Sequence, residues 1–468
     1  RWQPPQPGAK WKGVRAAKDF GPRCIQSGGS SDMVFHDPGA GEDCLTLNVW
    51  TPVNAKPGSL PVMVWIYGGG FNSGGTSESR QDGQFLARRN VVVVSMNYRL
   101  GIFGFFAHPE LTAESPHHAS GNYGLLDQAA ALLWVQKNIA AFGGDPNNVT
   151  IFGESAGSIS ISALMASPLA RGLFNKAIGE SGGALYGNRG VSFPPRESVE
   201  QRDVAFAQSA FGTSNLADLR KLSADEILHG AIAKTTPPVP RFAPDVDGYF
   251  LNDSVPDIYA AGNQAHIPLL AGWNADEARG QALLAKVKPT AASFAATAQT
   301  DFGDRAQKFL ALYPATTDDE ALISAGDYAS DRFIAYATWR WIEAQVATGK
   351  SPVFRYSLDL GSPGDINHPA ILGAFHSDDI EYVFGTLDSR PGAVWRPEDR
   401  KLSALTGAYW TNFARTGDPN GPGLPQWPTY NAADLWQVMH LDVTSEARPD
   451  TQRDRYLFLD QIWGKPSN

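Results

Sequence analysis

Val149-Thr150-Ile151-Phe152-Gly153-Glu154-Ser155-Ala156-Gly157 is the stretch that decides how this chain folds. Its first four residues are β-branched or aromatic, the composition of a short buried strand. Gly153 to Gly157 then form a G-x-S-x-G pattern, which holds a serine on a sharp strand-to-helix turn with its Oγ exposed at the top of a sheet. Behind it, Ile161, Leu164 and Met165 are spaced as one face of a helix, and Pro168 follows the run. Strand, turn and helix are all expected around Ser155.

The pattern recurs at Gly179-Glu180-Ser181-Gly182-Gly183. Lys176-Ala177-Ile178 suits a strand, but Gly182-Gly183-Ala184-Leu185-Tyr186-Gly187 does not suit a helix. In a chain with 47 glycines such a match arises cheaply, and a motif without its structural context is weak. Ser181 is therefore expected to be structural: a glycine-rich strand end, hydrogen-bonding in the polar shell behind the reactive centre.

Further from Ser155, strand-like and helical runs alternate. Leu45 to Trp50, Pro61 to Tyr67, Val91 to Asn97, Ile267 to Trp273 and Val353 to Ser357 read as strands. Two of these, Pro61–Tyr67 and Val91–Asn97, are almost continuously apolar, as a sheet covered on both faces requires. Gly124 to Ala141 reads as a helix with Leu125, Ala129, Leu132, Leu133 and Ile139 on one side. Further helices are expected near Phe302–Leu312, Asp331–Gln345 and Arg400–Arg415. The alternation predicts an α/β fold: a mostly parallel central sheet with helices on both faces. The chain is read as a single domain, 1–468, with cap-like insertions at about 185–264 and 280–351.

A serine hydroxyl becomes a nucleophile only when a base takes its proton and a third group orients that base. In folds built on this elbow the order is serine, acid, histidine. Glu277 lies just beyond the strand-like Leu269–Trp273 run, with Asp276 as its rival. Of the later histidines, His266 precedes the acid, His368 sits in a turn and His440 in a strand-like run. His376 lies in a loop before Ile380-Glu381-Tyr382-Val383-Phe384. Backbone N–H groups must also stabilise the oxyanion. One belongs to Ala156, the residue after the nucleophile. Others need a glycine turn after an early strand, and Gly68-Gly69-Gly70 meets that description.

Composition excludes several classes. Apolar residues make up 43% and charged residues 19%, with a net charge of −9. That is a globular protein without the basic face that nucleic-acid binding needs. No apolar run reaches the roughly 18 residues of a membrane span. Neither a metal nor an organic cofactor is implied. Cys24 and Cys44 bracket a polar, glycine-rich stretch. They are read as either a disulfide, worth about 3 kcal/mol across such a loop, or two buried thiols. A close pair favours an oxidising compartment. The chain begins at Arg1 with no visible signal peptide, as a processed or truncated chain would.

These segments resemble the type-B carboxylesterase/cholinesterase family of α/β-hydrolases over almost the whole chain. The resemblance rests on Glu42-Asp43-Cys44-Leu45-Thr46-Leu47-Asn48-Val49-Trp50 and on Phe142-Gly143-Gly144-Asp145-Pro146 followed by the Ser155 stretch. It also rests on Gly272-Trp273-Asn274-Ala275-Asp276-Glu277 and on His376 with Ile380–Gly385. It implies an α/β-hydrolase fold and a serine ester hydrolase of the bacterial carboxylesterase type. Ser155, Glu277 and His376 would form its triad, Gly69, Gly70 and Ala156 its oxyanion hole, and Cys24–Cys44 a disulfide. A small-molecule ester is the implied partner, with oligomeric state left open, and the location would be secreted or periplasmic.

The departures sharpen the reading. Residues that usually precede the Arg1-Trp2-Gln3-Pro4-Pro5 equivalent are absent, so the first strands of the sheet are expected to be missing. Tyr67 stands where many bacterial relatives have histidine, and Ser158 replaces a glycine. The loop Ile25 to Asp43 lacks the tryptophan that binds quaternary ammonium groups by cation–π contact, which argues against choline esters. A fumonisin-type polycarboxylate esterase is one specific expectation. The rivals are an inactive cholinesterase-like binding module and an amidase or thioesterase.

Overall fold

The computed structural model describes residues 1–29, 32–186, 193–233, 238–365 and 367–464. Parts of the expected 185–264 insertion (187–192 and 234–237), Gly187 after the second motif, Ile366 beside His368, and Ser30–Ser31 in the cysteine loop lie outside the described residues. The chain forms two compact units, residues 1–176 with 193–265 and residues 177–192 with 266–468.

In the first unit Leu60–Ile66 is the central strand. It runs parallel to Val92–Met96 on one side and to Gly144–Glu154 on the other, and Leu47–Trp50 pairs antiparallel with Val92–Met96. Val62 to Tyr67 and Val91 to Val94 are fully buried, which is why their runs carry no polar alternation. The register sets Ile66 opposite Gly153, at the end of the strand that leads into the motif. The helix Tyr123–Asn138 buries Leu125, Ala129, Leu132 and Val135. It runs into a 3-10 turn, Ile139–Phe142, closed by Gly143 with φ of 93°, a left-handed stop that glycine adopts without strain. Leu133, expected on the buried side, is exposed. One residue past Leu132 the helix has turned by about 100°, enough to leave the buried stripe.

In the second unit residues 177–180 run parallel to Leu269–Asn274, which pairs in parallel with Val353–Leu358. Gln437–Leu441 continues in parallel and Glu446–Pro449 closes the edge antiparallel. The helix Pro397–Thr416 has proline at its start and Gly417 with φ of 82° at its end, the expected asymmetry of helix boundaries. The helix expected near Phe302–Leu312 spans Ala306–Leu312, and a helix not expected from the sequence, Ala291–Phe302, precedes it. Gly303, with φ of 54°, separates them. The segment expected as Asp331–Gln345 is a π-turn, Asp331–Ala335, running into the helix Tyr336–Thr348.

Cys24 and Cys44 are joined by a disulfide and both are buried. Replacing both by serine is expected to cost about 3 kcal/mol of unfolding free energy by the loop-entropy argument. Urea titration of the double variant checks it, and an unchanged midpoint would contradict it.

Asp245 is fully buried, and neither carboxyl oxygen has a hydrogen-bond partner among the described residues. Its backbone is pinned by Asn122, whose amide donates to Asp245 O (2.9 Å) and whose Oδ1 accepts from Asp245 N (3.1 Å). Burial above all, and then the charges of Asp247 and Asp203, hold the carboxyl well above the usual aspartate range. The folded state therefore binds this proton more tightly than the unfolded chain. The associated stability is complete below about pH 4 and is lost as pH rises toward the folded value. Asp245→Asn should melt higher than the parent at pH 8 and show a smaller loss of melting temperature between pH 5 and pH 8. Thermal melts at the two pH values test this, and identical curves would refute it.

Candidate active site

In the first unit the strand Gly144–Glu154 ends at Ser155 and the helix Ala156–Ala166 begins one residue later. Ser155 has φ of 53° and ψ of −120°, a conformation that costs a non-glycine residue about 1–3 kcal/mol. The flanking glycines are dictated by close approach. A Cβ on Gly157 would lie 1.9 Å from the carbonyl oxygen of Ile66, and one on Gly153 would lie 2.4 Å from it. The neighbouring strand thus presses on the turn from behind and leaves no room for side chains at either position. This is the strained elbow that the motif predicts.

The glycine turn lies against the same serine. A Cβ on Gly68 would meet Ser155 Cβ at 3.0 Å, and one on Gly69 would collide with Ser73 O at 2.1 Å. Gly69 and Gly70 have φ of 100° and 64°, which glycine adopts at no steric cost. Their carbonyls are occupied: Gly69 O accepts from Asn72 N and Ser73 N, both at 3.1 Å, and Gly70 O accepts from the Asn72 amide at 2.9 Å. Their N–H groups donate to no partner among the described residues. Ala156 is the first helical residue, where an N–H has no acceptor within the helix. The N–H groups of Gly69 and Gly70 and the helix-start N–H of Ala156 are thus left without a backbone acceptor among the described residues. Tyr67, the departure noted before the glycines, is buried and stacked on Tyr98 with centroids 4.5 Å apart.

The acid and the histidine meet in the second unit. Glu277 lies three residues beyond the strand Leu269–Asn274 and is buried. One carboxylate oxygen, Oε2, is 2.5 Å from His376 Nδ1. The other accepts from Asn274 N at 2.9 Å and from the hydroxyl of Ser181. Buried charge is tolerated where such donors surround it. Asp276, the rival acid, is used elsewhere. It pairs with Arg279 at 2.8 Å and accepts from Ala374 N at 3.1 Å, bracing the loop that carries His376. His368 and His440 are likewise held by other carboxylates, Asp365 and Asp359.

Three residues with no role assigned from the sequence complete this shell. The Asn274 amide donates to Phe375 O at 2.8 Å and holds the histidine loop. Asp379 is buried and accepts from the Tyr356 hydroxyl at 2.9 Å. Burial, then the charge of Glu277, push its carboxyl up to about 6. Phe333 sets its ring edge-on to His376, 4.8 Å between centroids. Phe333 also lines an open cavity of about 650 Å³ within the second unit. Its charged lining residues are Lys288 and Arg332, with no carboxylate among them. None of these three carries a sequence signal, because each acts through a contact made by distant chain segments.

The second G-x-S-x-G is explained by the same cluster. Ser181 follows a strand with φ of 51°, no helix follows it directly among the described residues, and it is fully buried. It is the hydroxyl that donates to Glu277. Ser181→Ala removes a hydrogen bond to a buried carboxylate, which should lower the unfolding free energy by about 1.5–3 kcal/mol. Denaturant unfolding measures this, and a loss below about 0.5 kcal/mol would deny the contact any weight.

Comparison with known proteins accords with this geometry. The sequence model of the Carboxylesterase family matches residues 1–458. The chain is 38% identical over 443 residues to Fumonisin B1 esterase of Sphingopyxis macrogoltabida, covering 92% of this chain and 78% of that protein. It is 34% identical to Cocaine esterase of Homo sapiens, covering 94% of this chain and 81% of that one. The solved structure of PNB esterase superposes with a TM-score of 0.81 at 34% identity, covering 98% of this chain and 92% of that chain. With that likeness the strands and helices of the two units take their places in an α/β-hydrolase fold. This chain belongs to the carboxylesterase family, the carboxylic-ester hydrolases.

Proposed function

We propose that Ser155 attacks the ester carbonyl, that His376 takes its proton and returns it to the leaving alcohol, and that Glu277 orients His376. Gly69, Gly70 and Ala156 N–H groups hold the oxyanion, and water then cleaves the acyl-serine. The observation that carries this reading is the 2.5 Å contact of Glu277 Oε2 with His376 Nδ1. It leaves Nε2 as the nitrogen that faces chemistry, because the Nδ1–H is already given to the carboxylate. The strained conformation of Ser155 supports it independently, since strain of this kind collects at functional turns. The expected insertions at about 185–264 and 280–351 would form the walls that read the substrate. The Cys24–Cys44 disulfide supports an oxidising location, outside the cytosol.

A narrower reading is esters of polycarboxylic acids. It is supported by the basic lining of the cavity beside Phe333 and by the likeness to a protein named Fumonisin B1 esterase.

Ser155→Ala should abolish hydrolysis of 4-nitrophenyl butyrate and labelling by a fluorophosphonate probe. Retained turnover by the pure variant would overturn the assignment. Glu277→Gln should lower kcat by about 10³–10⁴, the scale seen when the orienting carboxylate of a triad is neutralised. Ser181→Ala should lose less than about tenfold, since it touches the acid and not the reacting atoms. For the narrower reading, purified protein incubated with fumonisin B1 should release the polycarboxylic acid, followed by mass spectrometry. Intact toxin beside rapid butyrate hydrolysis would remove that substrate. An amide of the same acyl group should turn over far more slowly than its ester.

A further inference from the structure

Arg241 stands beside the glycine turn of the first unit. Its Nη2 is 3.5 Å from Gly70 O, the outer limit of a hydrogen bond. Among the described residues, a Cβ built on Gly70 would meet nothing nearer than this same guanidinium, at 3.8 Å, which is the nearest wall of that space. In this unit Arg99 is tied to Asp127 and Arg23 to Asp37, whereas Arg171 donates to a backbone carbonyl and Arg88 lies over the Phe85 ring. Arg241 is exposed and has no carboxylate partner among the described residues.

The chain that follows this residue is anchored. Phe242, the next residue, is buried with its ring edge-on to Phe206 at 5.4 Å. Four residues on, Asp245 is held by Asn122 through two hydrogen bonds. In a chain of net charge −9, an unpaired cation at this point is a specific local feature against a repulsive background for anions.

We propose that Arg241 is a specificity-determining residue that binds a free carboxylate on the acyl half of the ester. The proposal rests on the assignment of Gly69 and Gly70 as oxyanion donors. With the acyl carbonyl oxygen on those N–H groups, the guanidinium lies within roughly 10 Å of it, about one residue and two hydrogen bonds away. A carboxylate two or three carbons beyond the carbonyl spans that gap. The planar fork of arginine matches a carboxylate with two parallel hydrogen bonds, which an ammonium does not reproduce. The weak contact to Gly70 O is readily exchanged for this stronger one.

The test compares mono(4-nitrophenyl) glutarate, which carries one free carboxylate, with neutral 4-nitrophenyl valerate at low ionic strength. Arg241→Gln should lower the ratio of kcat/KM for the anionic over the neutral ester by 10–100-fold, mainly through KM. Arg241→Lys should recover part of that ratio, and 0.5 M sodium chloride should narrow it for the parent. An unchanged ratio in Arg241→Gln would overturn the proposal, as would an equal loss in both variants when their melting curves match the parent. If Ser155→Ala abolishes both activities while the Arg241 variants leave the ratio unchanged, this inference fails and the ester-hydrolase mechanism stands. If Ser155→Ala keeps both activities, the mechanism itself fails.

Discussion

The carbonyl oxygen of Ile66 occupies the space in which a side chain at position 157 would have to lie, 1.9 Å from the ideal Cβ. From that close approach the first unit's chemistry follows. The strand Leu60–Ile66 and the turn after Glu154 touch through backbone alone, so both flanks of Ser155 must be glycine. The serine between them is driven to positive φ, away from the broad basins that L-residues prefer. The chain that continues from the same strand then turns back as Gly68-Gly69-Gly70, again within contact of Ser155 Cβ. One strand end therefore sets the conformation of Ser155 and places the glycine turn beside it. Burial of the apolar strands on both faces is what makes this stiff, because a well-packed sheet cannot relax by the ångström that a single methyl group would demand.

In the second unit the organising problem is a buried negative charge. Glu277 is surrounded by Asn274 N–H, the Ser181 hydroxyl and His376, and each satisfies a lone pair that burial has taken from water. Asp379 lies behind it, hydrogen-bonded to Tyr356. Burial above all, and then the charge of Glu277, hold the Asp379 carboxyl above the usual aspartate range, at about 6. Asp276 shows how narrow the assignment is. It is adjacent in sequence and chemically equivalent, yet it is committed to Arg279 and Ala374 N.

Local pattern was legible wherever it depends on near neighbours. The apolar runs at residues 61–67 and 91–97 announced fully buried strands. The elbow was readable because strand, motif and helix are contiguous, and the second motif could be demoted because no helix follows it. Legibility failed where a single residue or a distant partner decides. Gly303 separates the expected helix from an unexpected one before it, and Leu133 rotates off the buried stripe one residue after Leu132. Asn274, Asp379, Phe333 and Arg241 meet Phe375, Tyr356, His376 and Gly70 across long stretches of chain, so no window of sequence contains the signal.

What the sequence determined by itself was the fold class, the identity of the elbow serine, and a short set of acids and histidines in the right order. Period, composition and steric demand act over a few residues, and a chain carries them openly. The ion pair that ties Asp276 to Arg279, the hydrogen bond from Ser181 to Glu277 and the cation beside Gly70 were left to the tertiary structure. These depend on which way a side chain points when remote segments pack together, and hydrogen bonds hold only within about 3 Å of the right geometry.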